Sequence, residues 1–217
     1  MHFLPISLAL FFLFLILIPL FFVFAPIIAF AKLGLDPLLG YAFFLLCLLG
    51  GGINIPLYRD KTAYCPPEDD MSLFYRRYFG IRMPVCQRSI LAINLGGAVL
   101  PGLLSIYLLK FVPLTSVVLA TAITTVTAYL LSKPMKGVGI VMPPFVPPLV
   151  AALTAVIIAR EEAPQLAYIS GVIGTILGAD ILRLHQIKKL GASIMSIGGA
   201  GVFDGIYLVG LVSVLLA

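Results

Sequence analysis

Seven runs of apolar residues separated by polar links order this chain: 3–31, 38–57, 89–109, 111–131, 142–159, 163–182 and 192–217. Each is near or above the ~18–20 residues with which a helix crosses a bilayer, because a helix rises ~1.5 Å per residue through a hydrocarbon core of roughly 30 Å. The fifth run is the shortest. The first contains Pro19 and Pro26, which predict kinks that neighbouring helices tolerate. It lacks a basic leading segment and is about twice as long as a signal-peptide core, so it reads as a permanent span. The pattern predicts an all-α fold: a polytopic transmembrane helix bundle of about seven spans, forming a single integral membrane domain over residues 1–217.

Composition agrees with the pattern. The chain is 61% hydrophobic and 11% charged, with a mean hydropathy of +1.15, which excludes an ordinary soluble domain. Charge placement adds an orientation. Arg59, Lys61, Arg76, Arg77, Arg82 and Arg88 lie between the second and third runs, Lys133 and Lys136 between the fourth and fifth, and Arg183, Lys188 and Lys189 between the sixth and seventh. The alternate links carry only Lys32, Lys110 and Arg160. By the positive-inside rule this predicts a multi-pass cell-membrane protein with a cytoplasmic N-terminus, an outside C-terminus and a cytoplasmic loop at 58–88. The net charge of +5 is thus a topology signal, and its dispersal over three links excludes a nucleic-acid partner. The expected partner is the lipid bilayer.

The 58–88 loop places Arg76 and Arg77 beside Phe74, Tyr75, Tyr78 and Phe79, as in an amphipathic helix around 71–79 lying on the inner leaflet, or in a solvated loop with interfacial aromatics. Cys47, Cys65 and Cys86 have no CxxC spacing, and His2 and His185 are the only histidines. No zinc motif or phosphate-binding glycine loop is present, so neither a metal nor another cofactor is expected.

A repeat flanks the loop. Gly51-Gly52-Ile-Asn54-Ile-Pro56 closes the second run, and Asn94-Leu-Gly96-Gly97-Ala-Val-Leu-Pro101 opens the third. Glycines allow close helix approach and proline frees a carbonyl. Asn54 and Asn94 are therefore candidates for substrate or ion binding, or for hydrogen bonding between helices. Pro134, Pro143, Pro144, Pro147 and Pro148 cannot share one regular helix interior. Their segment reads as a re-entrant loop or as a stiff surface connector.

Asp180 and Asp204 are the acidic residues set within or at the end of long apolar runs. A carboxylate at membrane depth costs several kcal/mol unless paired or hydrated, so each is a functional candidate. Gly171, Gly174 and Gly178 recur at the same spacing as Gly198, Gly201 and Gly205, which predicts a close packing of the two runs. On ideal helices Asp204 lies ~60° from Gly201 and ~100° from Gly205, bordering the packing face. Asp180 lies ~180° from Gly171, on an unfavourable face, with Arg183 three residues on as an ion-pair partner. The two carboxylates meet only if the glycine-rich 191–201 segment is unwound or the helix ends shift.

Two aspartates on adjacent spans are the minimum apparatus of a diaspartyl intramembrane protease. Their order resembles that of the presenilin and signal-peptide-peptidase group, whose second aspartate follows glycines in a Gly-x-Gly-Asp motif. Here the second site is Gly199-Ala-Gly201-Val-Phe-Asp204-Gly205, with two extra residues before the aspartate. Ala179 stands where that group has tyrosine, and no Pro-Ala-Leu follows. Across the whole chain, "GGINIPL", "NLGGAVLP", "GVGIVMPPFVPPLVAAL", "AYISGVIGTILGADILRL" and "SIGGAGVFDGIYLVGLVSVLLA" together resemble a prokaryotic membrane family designated domain-of-unknown-function family 1614.

The leading expectation is an aspartate-dependent intramembrane protease acting on a transmembrane peptide, with Asp204 and Asp180 as the catalytic pair and Gly201 and Gly205, like Asn54 and Asn94, as substrate- or ion-binding residues. The alternative is a proton- or cation-coupled transporter centred on Asp204, with Asn54 and Asn94 as polar partners and a homodimer as its assembly. A non-catalytic membrane assembly factor is the third.

Overall fold

The computed structural model describes residues 4–64, 87–135, 139–189, 194–199 and 205–217. Among them are seven apolar helices, one in each apolar run. Three are long and apolar enough to cross a membrane: Leu10–Lys32, Leu114–Leu131 and Ala163–Gln186. The other four are shorter, and the fold is all-α in character.

Helix α1 (Leu4–Lys32) ends in a turn built for reversal. Gly34 adopts φ +74°, a conformation that favours glycine, and Leu35 N–H returns to Phe30 O at 2.9 Å. Asp36 then caps α2 (Pro37–Gly50) by accepting from Leu38 N–H at 2.7 Å, with Pro37 in the first turn, where no donor is needed. The two helices touch where Gly40 faces the Phe30 ring.

Runs two, three and seven depart from the helical expectation at one end. The chain forms strand β1 (Asn54–Tyr64), strand β2 (Gln87–Asn94) and strand β5 (Ile194–Ile197) in a sheet of order β1-β2-β5. β1 runs antiparallel to β2 and β5 parallel to it. Two causes favour extension here. Adjacent glycines each weaken a helix by about 1 kcal/mol, and the isoleucine-rich flanks fit a pleated surface. Pro56, which has no donor, sits on the outer strand at a register shift.

After β2 comes a π-helical turn, Leu95–Val99, then α3 (Leu100–Leu108) and α4 (Leu114–Leu131). Residues of the proline-rich segment form a short hairpin, β3 (Lys133–Met135) with β4 (Gly139–Val141), and lead into α5 (Val146–Ile158). Pro147 and Pro148 occupy the first turn of α5, where a missing donor costs little. Next are α6 (Ala163–Thr175), a second π-helical turn (Ile176–Ile181), α7 (Leu184–Lys189) and, after β5, α8 (Gly205–Leu216).

α6 is the central helix: Leu166, Ile169 and Val172 are fully buried in it. Runs six and seven pack closely, as predicted, but the glycine stripe of run six does not lie wholly in that contact. Gly174 and Gly178 face α4, against Thr124, Thr125 and Ala128, and only Gly171 faces α8, against Ser213 and Val209. A glycine stripe identifies a smooth face but not the helix that covers it. In run seven, Gly198 lies outside any helix, at φ +86°.

Two polar ties mark the ends of the bundle. At one end Lys32 Nζ donates to Leu215 O at 3.0 Å, and Gln165 Nε2 donates to Leu33 O at 3.2 Å. At the sheet end Arg183 reaches across to the last turn of α4. Its guanidinium donates to Tyr129 O at 2.6 Å and Ser132 Oγ at 3.2 Å, bonds Gln186 Oε1 at 2.6 Å and lies 4.1 Å above the Tyr129 ring. These bonds take the role foreseen for an ion pair with Asp180. Arg183→Lys keeps the charge but loses the planar fork and the stacking. It is expected to cost about 1–3 kcal/mol, measured by thermal unfolding in detergent; an unchanged midpoint would show that the tie is idle.

Candidate functional site

The site lies where the ends of α2, β2, α6 and β5 converge. Asn94, fully buried, is its anchor. Its Nδ2 donates to Gly51 O at 2.7 Å and to Asn54 Oδ1 at 3.2 Å, while its Oδ1 accepts from Gly97 N–H at 2.8 Å and so caps the first π-helical turn. The two Gly-Gly-x-x-x-Pro repeats therefore meet: Asn54 lies opposite Asn94 in the sheet, and Gly96 packs against the last turn of α2. Ser196 of β5 joins them by donating to Asn54 Oδ1 at 2.6 Å. Asn94→Ala is expected to cost roughly 2–4 kcal/mol, since it removes a cap and leaves buried backbone groups unpaired. Chemical denaturation in mixed micelles reads this out.

Asp180 enters from the second π-helical turn. Its Oδ2 accepts from Gly198 N–H at 2.7 Å. Gly198 and Gly199 have φ values of +86° and +82°, and a Cβ on Gly198 would lie 2.6 Å from that of Ala98, so the turn is held to glycine by backbone and by space. The glycine-rich approach to run seven is thus unwound over the described residues 194–199, ahead of α8.

The winding of α6 explains why Asp180 departs from its predicted face. Leu182 N–H bonds Leu177 O, five residues back, at 2.9 Å. A turn closed in this way holds one residue more than an α turn, so its later residues lag by roughly a quarter turn. That lag moves Asp180 off the position opposite Gly171 that an ideal helix gives it, and its carboxylate meets the Gly198 N–H.

Asp204 and Gly201 lie outside the described residues, as do Cys65, Cys86 and the 71–79 segment. Gly205 is the first residue of α8. Two contributors carried no signal of their own in the chain: Ser196, one serine in an apolar strand, and the Gly198 backbone donor. An apolar groove of about 610 Å³ between α3, α4 and α6 includes Leu177, one turn before Asp180.

The family model described as protein of unknown function (DUF1614) matches residues 48–216. The chain belongs to that family. The DUF1614 match includes the sheet, both π-helical turns and Asp180, and leaves α1 and most of α2 outside. No curated protein and no solved structure matches the chain.

Proposed function

We propose that this DUF1614 protein is an aspartate-dependent intramembrane protease whose catalytic pair is Asp180 and Asp204. One observation carries the proposal: the Asp180 carboxylate is bound by the Gly198 N–H of the unwound segment that leads to Asp204. On unbroken helices the two carboxylates fall at different depths and faces; the extended residues 194–199 and the π-helical turn support the reading because neither approach to the pair is an unbroken α-helix. The neighbouring sheet adds support. Peptide bonds in a membrane helix are already hydrogen-bonded, and a sheet beside a carboxylate is a surface on which an unwound substrate backbone finds partners.

In the proposed reaction one carboxylate takes a proton from water, whose oxygen attacks the scissile carbonyl carbon. The other, protonated, supports the carbonyl oxygen. Collapse breaks the C–N bond, and the proton passes to the amine, so one water is consumed per bond cleaved. The sheet end is proposed to be cytoplasmic, from the basic residues of its links, with the N-terminus inside, the C-terminus outside and 58–88 a cytoplasmic segment of a single membrane domain. The test is cleavage of a labelled transmembrane peptide by the chain reconstituted in liposomes. Wild type cleaves and both Asp180→Asn and Asp204→Asn do not; equal products from all three would overturn the proposal.

The hydrogen-bonded Asn54, Asn94 and Ser196 favour a second reading, proton- or cation-coupled transport centred on Asp204 by a homodimer. Ion uptake into the same liposomes that is lost in Asp204→Asn, without cleavage, would select it.

A further inference from the structure

Buried hydroxyls in this bundle mostly fold back onto their own helix. Ser105, Thr124 and Ser213 each donate to the carbonyl four residues earlier. Along the inner face of α6 the pattern breaks. The Tyr168 hydroxyl and Thr175 Oγ1 are buried and make no hydrogen bond among the described residues, and the same holds for Tyr207 of α8 and for Gln165 Oε1. Tyr168, Thr175 and Tyr207 are 3%, 2% and 7% exposed. Thr121 and Thr125 also make none, but they line the apolar groove on another side of α6.

The α6 groups are aligned. Gln165, Tyr168, Val172 and Thr175 recur at three- and four-residue steps, which places them on one helix face. That face meets α8, because Gly210 packs on Val172 and the Tyr168 ring, and Tyr207 precedes Gly210 by one turn. Gln165 stands at the Lys32 end, bonded to Leu33 O. Asp180, in the π-helical turn, stands at the sheet end with its carboxylate on Gly198 N–H. The rise from Gln165 to Asp180 is roughly 22 Å, most of a hydrocarbon core.

An unpaired hydroxyl at such depth is costly, and three unpaired groups on one face of α6, with Tyr207 of α8 beside them, call for a partner that the other described residues do not supply. Internal water is that partner, typically making two to four bonds to groups of this kind. We infer that a file of internal water runs along the α6–α8 interface from Gln165, past Tyr168, Tyr207 and Thr175, and reaches Asp180 from the end of the bundle opposite the sheet. Its role as a source of hydrolytic water rests on the protease proposal; its existence does not.

Two experiments test the file, and neither depends on cleavage. In the chain with its three cysteines replaced by alanine and reconstituted in vesicles, Thr175→Cys is compared with Ala120→Cys, a fully buried position in α4. Silver ion, a thiol probe little larger than water, is added from the Lys32 end, and the remaining thiol is counted with a fluorescent maleimide. Thr175→Cys is expected to react at least tenfold faster than Ala120→Cys; equal rates, or reaction only from the sheet end, would overturn the inference. The second experiment keeps all native cysteines. Tyr168→Phe deletes only the hydroxyl, so a hydrated phenol predicts a lower unfolding midpoint, and a higher one would mean that the interface is dry.

Discussion

Asp180→Asn will reduce cleavage of a transmembrane peptide by about 10²–10⁴-fold, the range that a positioned acid or base contributes. Asparagine is the informative replacement. Its carbonyl oxygen still accepts from Gly198 N–H, so the glycine turn and the junction of sheet and π-helical turns keep their shape. What is lost is the ability to hold or release a proton. The expected result is therefore an intact fold with no product, read by mass spectrometry of the peptide beside a thermal-unfolding curve. Asp180→Ala is the contrasting variant: it also leaves the Gly198 donor unpaired, and both stability and activity should fall. If Asp180→Asn cleaves at the wild-type rate, the carboxylate is structural and the protease proposal fails.

The largest loss of stability is expected at Gly96. A Cβ there would overlap the Cys47 carbonyl oxygen and the Gly51 nitrogen, which belong to the last turn of α2 and are hydrogen-bonded to each other. Both are backbone atoms, so no side chain can swing aside. Overpacking a well-packed core costs about 1–3 kcal/mol and at times more, and a collision with backbone belongs at the upper end. Gly96→Ala is thus expected to cost about 3 kcal/mol or more, a large part of the ~5–15 kcal/mol that holds a typical fold. Thermal unfolding and size exclusion of the detergent-solubilised chain measure it. Gly102→Ala is the control, because a methyl group at that point of α3 would meet nothing within 4 Å among the described residues beyond its own turn of helix, and the better helix former should leave stability equal or slightly raised.

Hydropathy locates each helix because burying apolar surface is the same requirement along every run. It does not find where helix gives way to strand. Ile53, Ile55 and Ile197 are as apolar as any membrane-facing residue, and only the glycine pairs near them indicate that the helix weakens. The repeats around Asn54 and Asn94 foreshadow their meeting, since close backbone approach and a short amide are what such a junction requires. Two other features were not legible. The covering neighbour of Gly174 and Gly178 depends on the packing of α4, and no spacing within α6 specifies it. The direction of Asp180 depends on a turn that winds five residues instead of four, which a constant ~100° per residue misses. Arg183 was equally ambiguous: from its position it can reach either the carboxylate or the end of α4, and there the Tyr129 carbonyl and the Ser132 hydroxyl both accept from its fork.

The wide turn at Ile176–Ile181 makes the length of this stretch as important as its chemistry. A helix acts as a dial, and one surplus residue resets everything beyond it by about a notch. Removing that residue would keep both the aspartate and its apolar surroundings, yet point the acid toward the wrong neighbours. Residue identity at 180 is therefore only half of the specification; the other half is a count.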